Sequence, residues 1–315
     1  MNLLFVADPL ESFKTYKDTT FAMMREAQQR GHAVSTCEAH DIRWLQGEGV
    51  SAQVRDIRLT GQTQTWFEVS STRRVTLKTF DAVLMRKDPP FDSEYFYSTH
   101  LLGQAEREGA RVFNSPAALR DHPEKLAILA FPQFTAPTLV TRSEADIRAF
   151  HAAHGAIILK PLDGMGGMGI FKVGQDGLNL GAIIETLNRD GEQTVMVQKY
   201  LPQISEGDKR VLLIGGQPVP YALARIPQGG EVRGNLAAGG KGVAMPLTAR
   251  EREIAEYLGP LLAARGLLLV GLDVIGGHLT EINVTSPTCF QEISDQTSFD
   301  VPAMFIDALE AACNA

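Results

Sequence analysis

Asp273, Glu281 and Asn283 are the residues whose spacing says most about chemistry. Gly276 and Gly277 separate two apolar runs, and a turn centred on Gly277 sets Asp273 directly across from Glu281. Asn283 lies two residues beyond Glu281 and therefore shares its face of the strand. Carboxylates placed opposite each other destabilise a hairpin, so a plain solvated face accounts for them poorly. A hard divalent cation accounts for them better. Mg2+ takes oxygen ligands, commonly one or two carboxylates together with substrate phosphates. These three residues are the expected metal ligands, with Mn2+ as an alternative ion.

Residues 164–169 read Gly-Met-Gly-Gly-Met-Gly. Gly164, Gly166 and Gly169 match a dinucleotide fingerprint, but that motif must open a helix. Here Ile170-Phe171-Lys172-Val173 follows, which reads as a strand. No HRD or DFG triplet occurs, and no Lys-Ser or Lys-Thr follows the glycines, so kinase and Walker readings fail. Gly164, Gly166, Gly167 and Gly169 are more glycine than a turn needs, since each weakens an ordered element by about 0.5–1 kcal/mol. The expectation is a hairpin tip whose N–H groups cover a triphosphate. Lys160 ends the apolar strand before this flap, and Lys125 follows His122-Pro123-Glu124 at a helix start. Elsewhere each would be an ordinary surface lysine. Beside phosphate, one such pair at about 4 Å is worth roughly 4 kcal/mol before desolvation.

Gln198-Lys199-Tyr200-Leu201 ends the apolar run 195–197, where backbone groups can read an adenine edge. Asp208 starts the next strand and joins the nucleotide side. Arg210 and Arg225 are suited to steady a transferring phosphoryl group, and Arg225 also to hold substrate oxygens. Residues 226–242 carry six glycines around Arg233, Asn235 and Lys241, the composition of a lid that grips its substrates. Arg86-Lys87 follow the apolar run 82–85, where ligands of open α/β sheets bind, so Arg86 is a candidate for an anionic substrate; a surface loop is the plain alternative.

These residues need elements to hold them. Residues 3–7, 33–37, 82–85 and 111–113 read as strands, alternating with helices at 16–30 and 94–108. That alternation predicts a doubly wound parallel α/β domain over residues 1–121. Ser115 before Pro116 predicts a helix N-cap. Beyond residue 121 strands come in neighbouring pairs joined by glycine: 157–160 with 170–173, 210–214 with 219–225, and 267–274 with 279–284. Helices at 144–153, 180–188, 249–264 and 301–313 separate them. The second module, 122–315, is therefore antiparallel sheets with helices, its flap within about 122–200 and its metal hairpin and lid within about 201–315.

Composition sets the outer bounds. Hydrophobic residues are 44% and charged residues 21% of 315, an ordinary globular balance. The first residues read as a buried strand rather than a signal peptide, and no run approaches the roughly 18 apolar residues of a membrane span. Cys37, Cys289 and Cys313 have no ligand or disulfide spacing, which fits a reducing cytoplasm. A net charge of −7 argues against nucleic acid as a partner.

The long segments around these residues resemble the prokaryotic glutathione synthetases, ATP-grasp ligases. The similar segments are Met85-Arg86-Lys87-Asp88-Pro89-Pro90, residues 158–167 (Ile-Leu-Lys-Pro-Leu-Asp-Gly-Met-Gly-Gly), residues 224–231 with 233–240, and Glu281-Ile282-Asn283-Val284-Thr285-Ser286-Pro287-Thr288. The resemblance runs from about residue 1 to the C-terminus and is weakest over residues 40–80. It implies Mg-ATP, γ-glutamylcysteine and glycine as substrates, an acyl-phosphate intermediate and a homotetramer. It also implies that Arg86, Arg225, Arg233, Asn235, Ser286 and Pro287 face the substrate. Two alternatives share the nucleotide site: another ATP-grasp carboxylate–amine ligase, differing at Arg86 and the lid, and an ATP-binding protein without turnover.

Overall fold

The computed structural model describes residues 1–231, 233–236 and 239–314. The chain opens with β1 (Asn2–Val6), α1 (Thr19–Gln29), β2 (Ala33–Cys37), β3 (Ile42–Leu45), β4 (Gly49–Leu59), β5 (Phe67–Thr76), β6 (Ala82–Met85), α2 (Ser93–Arg107), β7 (Val112–Phe113) and α3 (Pro116–Asp121). Helix α1 is shorter than its sequence pattern, because Asp18 caps it by accepting from the Phe21 N–H. Gly31, at φ +80°, ends it.

The first sheet runs β3-β4-β2-β1-β6-β7, with β5 paired to β4. Strands β2, β1, β6 and β7 are mutually parallel, as the alternating pattern predicts. Its other half departs from that prediction. Strand β4 adds antiparallel to β2, and β3 and β5 add antiparallel to β4, all from within the segment whose resemblance is weakest. Strand β5 is exposed along most of its length, so its sequence carries no buried face to betray it.

Next come β8 (Thr138–Thr141), α4 (Glu144–His154), β9 (Ile157–Pro161), β10 (Phe171–Val173), α5 (Leu180–Asn188) and β11 (Val195–Lys199). They form a four-stranded sheet of order β10-β9-β11-β8, with the glycine-rich loop between β9 and β10. The third group is β12 (Asp208–Ile214), β13 (Gln217–Ile226), β14 (Lys241–Pro246), α6 (Ala249–Ala264), β15 (Leu269–Ile275), β16 (His278–Asn283), α7 (Phe290–Gln296) and α8 (Val301–Asn314). Its five strands run antiparallel in the order β14-β13-β12-β15-β16. The three sequence-predicted hairpins are all present.

The hairpin of β15 and β16 reaches its predicted register by another route. Gly276 and Gly277, at φ +54° and +76°, make a two-residue turn. That turn alone would set Asp273 opposite Thr280. A bulge inserts Thr280 and shifts the pairing to Asp273 opposite Glu281. Strand β14 occupies the end of the expected lid, with Gly242 paired to Arg225. Val232, Ala237 and Ala238 of that expected lid lie outside the described residues.

One apolar core joins β1, β6 and α1 to β12, α7 and α8. The buried Asn114, just after β7, ties the first sheet to the third. Its Nδ2 donates to the carbonyls of Leu269 (2.8 Å) and Val284 (2.9 Å), and its Oδ1 accepts from Leu269 N (2.9 Å). Replacing Asn114 by Ala leaves three buried backbone groups without partners. The variant should lose roughly 3 kcal/mol in urea denaturation; a loss under about 1 kcal/mol would show that this side chain is not a tie.

Candidate active site

One face of the five-stranded sheet carries the ionic residues. Arg210 on β12 pairs in register with Asp273 on β15, Asp208 with Arg225 on β13, and Gly271 with Asn283. Arg210 grips Asp273 with two nitrogens, Nε to Oδ1 at 2.6 Å and Nη2 to Oδ2 at 3.1 Å. Arg225 Nη2 reaches the same Oδ2 at 3.0 Å and Asp208 Oδ2 at 2.5 Å. Gly271 makes room for this: a β-carbon there would meet Arg210 Cδ at 2.8 Å. Burial alone would raise the Asp273 carboxyl, but Arg210 and Arg225 outweigh it and hold the group well below the usual carboxylate range. Asp208 has Arg225 on one oxygen only, while its Oδ1 is buried with no partner among the described residues. Burial outweighs Arg225 there and pushes the carboxyl up to about 6.

Above this face lie two joined cavities. The first, about 100 Å³, is lined by Ile158, Gln198, Lys199, Tyr200, Leu201 and Asp208, with Arg233, Gly234 and Asn235 on its rim. The second, about 250 Å³, is lined by Lys125, Gly164, Gly166, Gly167, Arg210, Glu281, Asn283 and Ser286. Lys160 and Glu281 line both. Lys160 is buried and donates to the Thr280 carbonyl that the bulge presents (3.2 Å). Burial drives its ammonium below the ordinary lysine value, against the pull of Glu281. Lys125 reaches Glu281 at 3.2 Å and the Gly164 carbonyl at 2.5 Å, so it holds β16 and the glycine loop together.

The fold therefore gathers most of the sequence-predicted residues and redirects some. At the end of β11, where an adenine edge is expected, the N–H groups of Lys199 and Tyr200 donate to the carbonyls of Pro137 and Ala156. The Gln198 amide donates to Thr138. Only Leu201 N–H, among these four residues, has no internal acceptor among the described residues. Gly169 sits outside the second cavity, packed against Pro161. Arg86 departs furthest from expectation. It is buried after the central strand β6, with Nε on Thr20 Oγ1 (3.1 Å) and Nη2 on the Pro287 carbonyl (3.0 Å). Neither Arg86 nor Pro287 lines the open cavities, since the 285–288 segment folds across that strand end. Arg233 and Asn235 rest on the glycine loop, where Arg233 Nη1 approaches the Gly167 carbonyl at 3.5 Å.

The donor set fits a hard divalent ion. Asn283 gives its Nδ2 to the Gly271 carbonyl (3.2 Å), which leaves its amide oxygen free. Glu281 faces the cavity with Lys125 as its one ion-pair partner among the described residues. Asp273 differs from its partners, because both its oxygens are held by guanidinium groups behind the cavity wall. No group of three or more His, Cys, Asp and Glu converges among the described residues, so water or ligand oxygens would have to complete any shell here. Asp88, Glu124 and Thr285 also line the cavity; Asp88 and Thr285 fall within the family-like segments without being singled out there, and Glu124 lies outside them.

Comparison with known proteins decides the family. Models of the prokaryotic glutathione synthetase N-terminal domain and ATP-grasp domain match residues 1–120 and 124–298. The chain belongs to the prokaryotic glutathione synthetase family. It is 61% identical to the glutathione synthetase of Ralstonia nicotianae over 312 residues, covering 99% of this chain and 96% of that one. It is 50% identical to that of Shewanella oneidensis, covering 98% of each. Among solved structures it resembles the D-cycloserine synthetase DcsG, with TM-score 0.67 at 16% identity over 99% of this chain and 100% of that one. The ATP-grasp ligase PsnB gives TM-score 0.62 at 20% identity over 100% and 98%. These likenesses show the fold. As a member of the glutathione synthetase family the chain is an ATP-grasp ligase that uses ATP. No helix among the described residues is long and apolar enough to cross a membrane.

The Asp208 carboxyl gives a pH test. Its folded-state value lies above its unfolded one near 4, so between about pH 4 and 6 the folded chain holds a proton that the unfolded chain has lost. Asp208 therefore contributes a stability that falls as pH rises through this window. In urea titrations the stability of the Asp208→Asn variant relative to the parent should rise from pH 4 to pH 6.5; a constant difference would show that Asp208 titrates normally.

Proposed function

We propose that the chain joins γ-glutamylcysteine to glycine with ATP, forming glutathione, ADP and phosphate. The observation that carries this is the continuity of the two cavities through Lys160 and Glu281. It sets a narrow, largely aliphatic slot end to end with a wider polar chamber. The adenine ring fits between Ile158 and Leu201, with Leu201 N–H at its edge and Asp208 on the ribose side. The triphosphate then runs toward Lys160, Lys125 and the loop of Gly164, Gly166 and Gly167, with Gly169 shaping that loop from behind.

Glu281 and Asn283, backed by Asp273, would hold Mg2+ or Mn2+, which supplies positive charge to the phosphate oxygens. Arg210 faces the chamber and steadies the transferring group, with Arg225 buttressing it through Asp273. Asp88 and Ser286 wall the end where the dipeptide binds, and Arg86 and Pro287 support that wall from the interior. The terminal phosphoryl group passes to the cysteinyl carboxylate oxygen as its bond to ADP breaks. The glycine amine then attacks the acyl carbon, gives up a proton, and phosphate leaves. No protein nucleophile is required, because positioning and electrostatics carry such a transfer. Arg233 and Asn235 close over the glycine loop to keep water from the acyl phosphate. The reading also carries a cytoplasmic homotetramer, which sedimentation tests.

Phosphate release from Mg-ATP with a panel of acids and amines tests the substrates. γ-Glutamylcysteine with glycine should exceed other pairs by more than about 100-fold; equal turnover of an alanine or glutamate pair would redirect the assignment. Glu281→Gln should lose most turnover with its fold intact, and high Mg2+ or Mn2+ should partly restore it. Normal turnover of that variant at low Mg2+ would remove Glu281 from the metal shell. Trypsin should cut the free enzyme near Arg233 or Lys241, and ATP with γ-glutamylcysteine should protect it. Equal cutting with and without those ligands would argue against closure.

A further inference from the structure

Glu124 lies in the short link between α3 and the 3-10 turn Leu126–Ala130, far in sequence from the metal hairpin. It nevertheless makes four hydrogen bonds to the stretch 282–285. Its backbone carbonyl accepts from Ile282 N at 3.0 Å. Its Oε1 accepts from Val284 N (3.0 Å), Thr285 N (3.1 Å) and Thr285 Oγ1 (2.8 Å). Strand β16 ends at Asn283, so beyond that residue the backbone has no ladder to fix it. One carboxylate oxygen takes the place of a strand.

A carboxylate is an expensive acceptor at this position. Burial and the nearby Glu281 both raise its pKa, against the bonds from Thr285 and Val284. A neutral amide could accept the same N–H groups without facing a second anion. The three bonds to Oε1, at 2.8–3.1 Å, are of ordinary length, so an oxygen acceptor at this point, rather than its charge, is what holds the segment. The next residue continues the device, since Lys125 joins Glu281 to the glycine loop. Two consecutive side chains thus brace both ends of the Glu281–Thr285 segment.

We propose that Glu124 is a positioning residue that fixes the backbone through Asn283 to Ser286, and so places the Asn283 oxygen for the cation and Ser286 for the acid substrate. This rests on the reading of Glu281 and Asn283 as cation ligands. A residue that merely stabilises the fold would lower the melting temperature and leave ion affinity alone. The test is therefore Mn2+ binding to the full-length protein with ADP, read by electron paramagnetic resonance, beside melting temperature and kinetics.

Glu124→Ala should weaken Mn2+ binding about tenfold or more and raise the half-saturating Mg2+ for turnover. Glu124→Gln, which keeps an oxygen toward the three donors, should stay within about threefold of the parent. If Glu124→Ala melts lower but binds Mn2+ like the parent, or if Glu124→Gln falls as far as Glu124→Ala, the proposal is overturned. Should Glu124→Ala fail to fold, Thr285→Ala replaces it. A weaker Mn2+ site in Thr285→Ala with Glu124→Gln near the parent supports the proposal, and parental affinity in both overturns it. Ligation by the parent is measured in the same preparation. A parent that makes no glutathione counts against the proposed substrates, whatever the Mn2+ series reports.

Discussion

The buried array of Asp208, Arg225, Asp273 and Arg210 is the constraint on which the rest of the site depends. Two carboxylates and two guanidinium groups alternate across β12, β13 and β15; Arg210, Arg225 and Asp273 are nearly sealed from water, and Asp208 lies at the wall of the first cavity. Their charges cancel only as a set. Removing one partner of a buried pair leaves an uncompensated charge, which typically costs about 3–5 kcal/mol. The array therefore fixes the register of three strands more strictly than apolar packing does. With β15 fixed, the bulge at Thr280 sets where β16 lies, and with it where Glu281 and Asn283 point.

The same array explains a division of labour that the residue types alone obscure. Asp273, Glu281 and Asn283 look equivalent on one face. In the folded chain Asp273 is turned inward to the arginines, while Glu281 and the Asn283 oxygen are open. The negative charge of Asp273 is neutralised in place, so it does not add to the repulsion at the cavity. Glu281 is balanced separately by Lys125. Charge is thus handled in two layers: a closed ionic layer inside the sheet, and an open one at the wall where ligands exchange.

Much of this was legible in the sequence because the residues involved obey short-range rules. Apolar runs joined by glycine gave the three hairpins, and alternation gave the parallel half of the first sheet. Lys160, the glycine loop, Glu281 and Asn283 followed from their place on those elements. What stayed hidden depends on long-range contacts. Strand β5 is exposed along most of its length, so no periodicity marks it. Arg86 was rightly placed after a strand, but its burial under residues 285–288 depends on a segment about two hundred positions away. Glu124 has no motif at all; only the chain's return through Val284 and Thr285 gives it meaning.

Hidden and legible residues differ in what they do. Those proposed to meet ligands are set by chemistry that limits the residue type: lysine for phosphate, glycine for close backbone approach, carboxylate and amide oxygen for a hard ion. Those that hold them in place need only an acceptor or donor at the right point, which many types could supply. Arg86 illustrates this. Its guanidinium, fixed by Thr20 and the Pro287 carbonyl, is a structural brace in the residue type that elsewhere grips substrate. Burial lowers its tendency to hold a proton, against the attraction of Asp88 and Asp18, and its bond to the Pro287 carbonyl lasts only while the 285–288 segment stays closed over it. The first sheet and the segment that follows β16 are therefore coupled through one buried cation.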